Sequence, residues 1–327
     1  MRYLSLFTGI GGFECGIHQV FPDAECAGYV EINSHSRKIL EKNFPQMTCL
    51  DTDVQTFHYD PKKHGHIDLI VGGPPCQDLS GMRCNGSYMG PSACPVSDPE
   101  TLGLNGPKSR LMYEYIRILQ SVQAVNPNVV FVCENVASMR TVNKDKISRL
   151  LGVEAPVMLD ARHVTAQSRK RYFWANFPIS PEMEDKKKRF SDILVPLEEA
   201  SKHELSERGK DYMNRRSGKT QITRWERRYH NDTAREKSRC ALHCMSRNVP
   251  YTALIDRRVD PPLLRRILPV EVERLQGFPD GYTSGVAKCH RLGALGNAVC
   301  APVAVHVMQS LLRVTENRNR KRKRKRK

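Results

Sequence analysis

The run Tyr3-Leu4-Ser5-Leu6-Phe7 leads directly into Thr8-Gly9-Ile10-Gly11-Gly12, and these two segments decide the fold class. A short apolar strand that turns through glycines into a helix is the opening unit of many α/β sheets. Apolar runs at 25–30, 66–71 and 129–133 repeat the alternation of strand and helix. The sequence therefore predicts an α/β fold over residues 1–180, with a doubly wound, mostly parallel sheet.

The composition excludes wholesale disorder. The chain has 327 residues, of which 39% are hydrophobic and 27% charged, so a sizeable packed core is expected. We expect no membrane-spanning segment and no secretion signal, and hence a soluble, intracellular protein. In such a protein the eleven scattered cysteines are expected to be free thiols.

The charge indicates a polyanionic partner. The net charge is +17, and removing the nine positive charges of residues 318–327 still leaves +8 on the rest of the chain. Apolar periodicity fades between 181 and 266, and residues 210–239 hold ten Lys or Arg against four acids, interleaved with Trp225 and Tyr229. We expect a small basic lobe here and a disordered basic tail over 315–327.

The glycine loop after the first strand is a candidate ligand site. Backbone N–H groups at such a turn are available to a ligand. Glu14 stands where the dinucleotide pattern needs a third glycine, so a pyrophosphate is not the expected ligand. Glu31 at the end of the second strand could accept hydrogen bonds from ribose hydroxyls, and Asp53 could meet an adenine amine. A nucleoside without phosphates suits this set, and a plain strand–turn–helix packing loop is the alternative.

Cys76 is a candidate nucleophile because it follows a buried strand and the rigid Gly72-Gly73-Pro74-Pro75 segment. It would need a lowered pKa or a nearby proton acceptor, since the thiolate is the attacking form. An inert buried cysteine and a zinc ligand are the alternatives. Cys76, Cys84 and Cys94 are eight and ten residues apart, unlike the ligands of a short zinc knuckle. Cys240, His243 and Cys244 come nearest to such spacing and are the weaker alternative, and no metal is expected.

Six motifs follow one another along the chain: Phe7-Thr8-Gly9-Ile10-Gly11-Gly12, Pro75-Cys76-Gln77, Glu134-Asn135-Val136, Gln167-Ser168-Arg169-Lys170-Arg171-Tyr172-Phe173, Glu273-Arg274-Leu275-Gln276-Gly277-Phe278-Pro279 and Gly296-Asn297-Ala298-Val299. In type and order they resemble the cytosine-C5 DNA methyltransferases that use S-adenosylmethionine. Segments 133–139, 157–161 and 171–176 look most like the catalytic domain of the animal de novo enzymes. The Pro74-Pro75-Cys76-Gln77 version is commoner in bacterial and maintenance-type members.

The resemblance implies a Rossmann-like class I S-adenosylmethionine-dependent methyltransferase domain with a small basic target-recognition lobe. The expected boundaries are 1–180 for the catalytic and cofactor-binding domain, 181–266 for the target-recognition region, 267–314 for a return to the catalytic domain, and 315–327 for the tail. The implied cofactor is S-adenosylmethionine, and its implied contacts are Phe7, Thr8, Gly9, Ile10, Gly11, Gly12, Glu31, Ile32, Asp53, Val54, Asn297, Ala298 and Val299.

The resemblance also implies roles for four catalytic residues. Cys76 would add to C6 of cytosine, and Glu134 would protonate or hydrogen-bond N3, with an ion-paired strand-end acid as the alternative. Arg171 would stabilise charge at O2. Arg169 would orient the surroundings of Cys76 or a phosphate, or belong to a basic surface. Asn135 would fix the loop geometry around Glu134.

The implied substrate is a cytosine flipped out of double-stranded DNA, in CpG context by the family pattern. Residues 81–108 would close over the base, and a plain surface insertion is the alternative. The candidate DNA contacts are Ser80, Arg83, Arg215, Arg216, Arg224, Arg227 and Arg228. A second copy or a related methyltransferase subunit is a candidate partner, and the basic tail indicates the nucleus, or simply an intracellular site for a viral or bacterial protein. A tRNA-cytosine methyltransferase and a non-catalytic DNA-binding regulator are the alternative functions.

Overall fold

The computed structural model describes residues 1–79, 103–216, 231–247 and 252–325. It divides into two compact units. The sheet unit comprises Met1–Leu159, Lys170–Met183 and Val303–Lys327. The second unit comprises Asp160–Arg169 and Glu184–Pro302.

The sheet unit is built on seven strands in the order β3-β2-β1-β4-β5-β7-β6. Strands β1 to β5 run parallel to one another, and β7 runs antiparallel to β5. The order reverses between β1 and β4, and ligands of doubly wound sheets bind at such a switch point. The predicted fold class is confirmed. The strand bounds are β1 Arg2–Leu6, β2 Glu25–Val30, β3 Cys49–Asp51, β4 Leu69–Gly72, β5 Val130–Val136, β6 Val157–Asp160 and β7 Lys170–Ala175.

Helices cover the sheet, and local sequence sets their ends. The Asn33 side chain accepts the N–H groups of His35 and Ser36 and so starts α2, while α5 ends at Gly152 in the left-handed conformation. Gly16 allows close packing, since a Cβ there would lie 2.6 Å from the carbonyl carbon of Ala304. The helices that contribute to this unit are α1 Gly12–Val20, α2 Ser34–Asn43, α3 Pro61–His64, α4 Met112–Gln123, α5 Thr141–Leu151 and α10 Ala301–Lys325.

The core of the sheet unit lies between the central strands and α4. Leu6, Ile70 and Phe131 from three neighbouring strands share one hydrophobic cluster with Tyr115 and Leu119. Burying each such side chain contributes about 1.5–3 kcal/mol. The Tyr115 hydroxyl donates to the Val132 carbonyl at 3.0 Å, so its polar atom is satisfied inside the core. The central strands that position the site are therefore rigidly held.

The second unit contains a three-stranded sheet in the order β10-β9-β8. Its strands are β8 Asn231–Asp232, β9 Ala253–Asp256 and β10 Leu263–Arg266. Its helices are α6 Leu197–Ser201, α7 Glu207–Arg216, α8 Pro269–Gln276 and α9 Lys288–Asn297. Arg265 on β10 is fully buried and bonds Asp256 on β9 and Glu271 on α8, which ties these three elements together.

The structure differs from the expected boundaries in three places. Strand β5 continues through Glu134 and Asn135 to Val136, because antiparallel β7 pairs with it over that length. Residues 160–169 and 267–302 group with the second unit, although they were expected in the catalytic domain and in the return to it, and that return begins at Val303. The basic tail is helical as far as Lys325, where a disordered segment was expected. Lys and Arg are good helix formers, and they extend a helix already nucleated by its packed part.

One apolar stretch corrects the expectation that no segment is long and apolar enough to span a membrane. Within the described residues, Lys288–Asn317 contains an 18-residue window with a mean hydropathy of 1.4. Within this stretch one helix, α9, ends at Asn297 and the next, α10, begins at Ala301. Of the 18-residue window, 61% is buried within the protein. The same composition is expected of core helices in a protein with a packed interior.

Candidate active site

Two loops leave the sheet side by side at its carboxyl edge. Leu6 at the end of β1 is paired with Gly72 at the end of β4. The glycine loop follows the first strand, and the segment that carries Cys76 follows the second. The switch point of the sheet therefore brings together the two motifs that the sequence singled out as a ligand site and a nucleophile.

The glycine loop is open towards a ligand. Phe7 has φ 54°, Gly9 has φ 60° and Gly11 has φ 91°, so the chain turns through left-handed conformations directly after β1. A Cβ at Gly9 would find no atom within 4 Å. Gly11 caps the nine-residue helix α1 without any side-chain hydrogen bond. The first N–H groups of that helix therefore lack an internal acceptor from a capping side chain.

Glu31 ties the second strand to this loop. One carboxylate oxygen accepts the Gly9 N–H at 2.8 Å, and the other accepts the Asn33 N–H at 2.8 Å. Burial raises the pKa of Glu31, and the hydrogen bonds from Asn33 and Gly9 oppose that shift. The carboxylate is thus held rigidly at the sheet edge, with lone pairs left for hydroxyl donors.

The other predicted cofactor residues fall into two groups. Ile32 is 71% exposed next to Glu31 and offers an apolar surface, and Asp53 follows β3 as expected, with its carboxylate accepting the Gln55 N–H. Ile10 and Val54 are buried, and Val54 belongs to the main core, so their side chains support the loops from inside. Thr8 is also buried, its hydroxyl donating to Ser5, while Gly12 opens α1.

Asn297, Ala298 and Val299 lie at the end of α9 in the second unit. Asn297 is exposed and Ala298 is buried. Their contact with the cofactor stays a prediction.

Cys76 sits in a tight turn. The Leu79 N–H donates to the Cys76 carbonyl at 3.0 Å, and the Cys76 side chain is partly buried against the core. The Asn135 side-chain amide donates to the Pro74 carbonyl at 3.0 Å from strand β5. Asn135 therefore fixes the loop that carries Cys76, and it does so from the position next to Glu134.

Glu134 and Arg171 form a buried ion pair at 2.9 Å. The side chains are 11% and 15% exposed respectively, and they come from the paired strands β5 and β7. Glu134 is therefore an ion-paired acid at a strand end, as the alternative expectation for this residue held. An ionised carboxyl has no proton to give, so Glu134 can donate to a bound ring only when it is protonated, whereas the Arg171 guanidinium can stabilise charge on the ring in either case.

Arg169 is buried among backbone carbonyls of the second unit, to which it belongs. Its side chain is 3% exposed, and its guanidinium donates to the backbone carbonyls of Ala241, Gly296 and Ala298 in the second unit. Its two terminal nitrogens are bonded to backbone carbonyls, and such contacts between distant segments stabilise the fold. The alternative that Arg169 belongs to a basic surface is therefore wrong, and its role near Cys76 or a phosphate stays a prediction.

The described part of the structure includes none of the side chains of the seven candidate DNA contacts. Ser80, Arg83, Arg224, Arg227 and Arg228 lie outside the described residues, as does most of the expected closing segment 81–108. Arg215 and Arg216 end α7, and their side chains are outside the described part. Among the residues that the structure does describe, no group of three His, Cys, Asp or Glu side chains could hold a metal ion.

Two site residues were missed by the sequence. Ser109 is fully buried, and its hydroxyl donates to the Pro75 carbonyl, directly before Cys76. Asp78 is 1% exposed and bonds the backbone of Lys108 and Ser109. Asp78 and Ser109 are 31 residues apart, and no repeating sequence pattern links them, so the sequence gave no signal for their contact. Only the position of Asp78 two residues after Cys76 could have drawn attention to it.

A comparison with known proteins identifies the family of this chain. The model of the C-5 cytosine-specific DNA methylase family matches residues 1–177 and 166–313. The chain belongs to this family, which is the class of DNA cytosine-5 methyltransferases.

Individual relatives match over different lengths. The type II methyltransferase M.NgoPII of Neisseria gonorrhoeae is 24% identical over 97% of this chain and 96% of its own length. The DNA (cytosine-5)-methyltransferase DRM2 of Arabidopsis thaliana is 34% identical over 38% of this chain, and that match covers 19% of the plant protein. The solved structure of the Entamoeba histolytica methyltransferase EhMeth shares the fold, with a TM-score of 0.68 at 17% identity over 96% of this chain and 98% of its own.

Proposed function

We propose that this protein transfers a methyl group from S-adenosylmethionine to C5 of a cytosine in double-stranded DNA. The observation that carries the proposal is the connected set at the sheet edge. Cys76 lies on a loop that is bonded to Asn135, and the neighbouring Glu134 is paired with Arg171. A nucleophile, an acid and a fixed cation are the groups that addition to a pyrimidine ring requires.

The glycine loop and its neighbours suit S-adenosylmethionine. The open backbone at Gly9 would accept a close ligand, the anchored Glu31 carboxylate would take ribose hydroxyls, and exposed Ile32 would cover a flat ring. Asp53 would meet the adenine amine. When bound, the cofactor supplies an electrophilic methyl group on a positively charged sulfur.

Cys76 would activate the cytosine. Its thiolate forms a bond to C6, and the electron pair of the C5–C6 double bond moves into the ring, so that C5 becomes nucleophilic. After C5 has gained the methyl group, its proton leaves to a base such as water. The electron pair then re-forms the double bond, and the Cys76 sulfur is expelled.

Glu134 and Arg171 would stabilise the ring while it carries extra charge. A proton or hydrogen bond from Glu134 at N3 and the Arg171 guanidinium near O2 both favour the adduct over the free base. The ion pair holds both side chains in place before the base arrives, and Glu134 must take up a proton from solvent before it can act as the donor at N3.

The base must leave the duplex for this chemistry, at a cost of a few kcal/mol. The charge of +17 supports a DNA substrate. CpG context, nuclear localisation and pairing with a second copy or a related methyltransferase subunit stay predictions from the resemblance and the basic tail.

The test is methyl transfer from radiolabelled S-adenosylmethionine to unmethylated duplex DNA. Wild type and Cys289→Ser should both transfer, because Cys289 is an exposed thiol in the second unit. Cys76→Ser should lose activity to background. Bisulfite sequencing of the product would then give the sequence context.

Two results would overturn the proposal. Transfer to tRNA but not to DNA would assign the chain to RNA. Absence of transfer to either substrate by folded wild type would leave a binding role without catalysis.

A further inference from the structure

The Ser109 hydroxyl contacts the backbone on both sides of Cys76. It donates to the Pro75 carbonyl at 3.2 Å and accepts the Asp78 N–H at 3.2 Å. Pro75 directly precedes the cysteine, and Asp78 follows it by two residues. One buried hydroxyl therefore uses its donor and an acceptor lone pair to fix the turn that presents the thiol.

Asp78 completes a reciprocal arrangement with Ser109. Its carboxylate accepts the N–H groups of Lys108 at 2.8 Å and Ser109 at 3.0 Å, just where the chain turns into the helical segment before α4. Ser109 and Asp78 thus each bond the other's backbone through their side chains, as the two members of a capping box do. The carboxylate also satisfies N–H groups at the start of a helix, which have no partner inside it.

The turn is held from the other side as well, because Asn135 donates to the Pro74 carbonyl at 3.0 Å. Three backbone atoms around Cys76 are therefore fixed by side chains from two different elements. Ser109 and Asp78 are 0% and 1% exposed, so water cannot replace these bonds if a side chain is removed.

We propose that Ser109 and Asp78 are positioning residues that hold the Cys76 thiol in line with C6 of the cytosine. The inference rests on the proposed function, since it concerns the same nucleophile. A misplacement of about 1 Å at a reacting atom can cost about 100-fold in rate, while binding of the substrates depends on other contacts. Loss of either side chain should therefore reduce kcat and leave KM for DNA and for the cofactor nearly unchanged.

The first experiment compares Ser109→Ala with Ser148→Ala. Ser148 is also buried in the sheet unit, and its hydroxyl accepts the Trp174 indole N–H at 2.9 Å, so the control loses a comparable hydrogen bond elsewhere. We expect kcat to fall about 30-fold in Ser109→Ala, with both KM values within twofold, and kcat within twofold of wild type in Ser148→Ala. Thermal unfolding should show similar losses of stability in both variants.

The second experiment compares Asp78→Ala with Asp78→Asn. Asparagine keeps one oxygen that can accept both N–H groups, so we expect kcat within about threefold of wild type, against a loss of about 30-fold for alanine. Release of tritium from C5 of labelled cytosine DNA without cofactor reports addition of Cys76 to C6 alone. This release should fall by the same factors as kcat.

The outcomes separate the two proposals. If wild type neither methylates DNA nor releases tritium, the proposed function fails. If wild type does both but Ser109→Ala matches Ser148→Ala, or if the loss lies in KM, the positioning role is wrong. Equal losses in Asp78→Asn and Asp78→Ala would also contradict it.

Discussion

Two buried clusters of charge in this protein have similar chemistry and different surroundings. Glu134 and Arg171 pair at the carboxyl edge of the large sheet, with side chains 11% and 15% exposed. Asp256, Arg265 and Glu271 pair inside the second unit with no exposure at all. The first pair retains a face that a ligand can approach, whereas the second is sealed. Burial and pairing alone therefore do not distinguish a catalytic charge from a structural one, and residual access at a sheet edge is what makes the first pair the candidate.

The sealed cluster is organised for stability. Burial alone would raise the pKa of Asp256, but hydrogen bonds from Arg258 and Arg265 outweigh it and lower that pKa to about 2. Glu271 takes two further bonds from Arg265 and also accepts the Leu268 N–H at the start of α8. Every charge in the cluster has several partners, so none is left to act on a substrate.

Glu14 is a third buried acid, and no basic side chain among the described residues offsets the effect of burial on its pKa. Glu14 on α1 is fully buried, and neither of its oxygens has a hydrogen-bond partner of good geometry among the described residues, although the Ser5 hydroxyl is near. Desolvation raises the pKa of Glu14 to about 7. This carboxyl is neutral in the folded protein over much of the pH range in which the other acids are charged.

The largest effect is expected at the accessible pair. Glu134→Gln removes the proton donor to the ring and should lower kcat about a thousandfold. Its amide oxygen still accepts from Arg171, so the free energy of unfolding should change by only about 1 kcal/mol. Steady-state kinetics and urea unfolding of the same preparation measure both. A large loss of stability with unchanged kcat would make this pair structural, like the sealed one.

Substitution in the sealed cluster should lower stability and leave activity nearly unchanged. Arg265→Met leaves the buried Glu271 carboxylate without its cation and leaves Asp256 with Arg258 alone, so it should cost about 3–5 kcal/mol of unfolding free energy. The methylation rate per folded molecule, measured at low temperature, should stay within about twofold of wild type because no reacting group is touched. A variant that folds stably but has lost its activity would show that the sealed cluster serves catalysis.

The burial of Glu14 should make the free energy of unfolding depend on pH. Because the folded state holds the Glu14 proton more tightly than the unfolded state, the contribution of Glu14 to stability is greatest below about pH 4.5 and declines as the pH rises to about 7. The shift from 4.5 to about 7 corresponds to a decline of about 3 kcal/mol. Glu14→Gln should remove this decline, which urea unfolding at several pH values would show. Parallel pH profiles for wild type and variant would mean that Glu14 is already charged in the folded state.

The smallest effect is expected at an exposed pair. Arg274 and Asp280 are 2.6 Å apart, with side chains 30% and 55% exposed. Solvent screening limits such a pair, so Asp280→Asn should lower the unfolding free energy by no more than about 0.5 kcal/mol. Thermal unfolding at low and high salt provides the measurement. A loss above 2 kcal/mol would contradict the rule that exposure decides how much a charge pair contributes here.

Much of the site could be predicted from the sequence, because its residues follow strands. The glycine loop, Glu31 and Cys76 each come directly after a strand that the apolar runs located, and parallel strands bring such positions to one edge. The second strand was predicted with its observed bounds, 25–30. The family resemblance added the roles of Glu134 and Arg171, which the structure places in contact.

What could not be predicted depends on contacts between distant residues. Arg169 lies in a motif with Arg171, and only the folded chain shows that Arg169 turns to the carbonyls of Gly296 and Ala298 instead. Ser109 reaches Pro75 across 34 residues without any local pattern. The helical tail was missed because a low-complexity composition says nothing about a helix that begins in packed residues upstream.

The most direct test of the central claim is to trap the enzyme on its substrate. Duplex DNA containing 5-fluorocytosine cannot lose a proton from C5, so an enzyme that has added to C6 and transferred the methyl group stays bonded to the base. We predict an intact-mass increase equal to the methylated DNA strand, and a modified peptide that contains Cys76. Attachment at another cysteine, or an unmodified chain under conditions that permit turnover, would contradict the account.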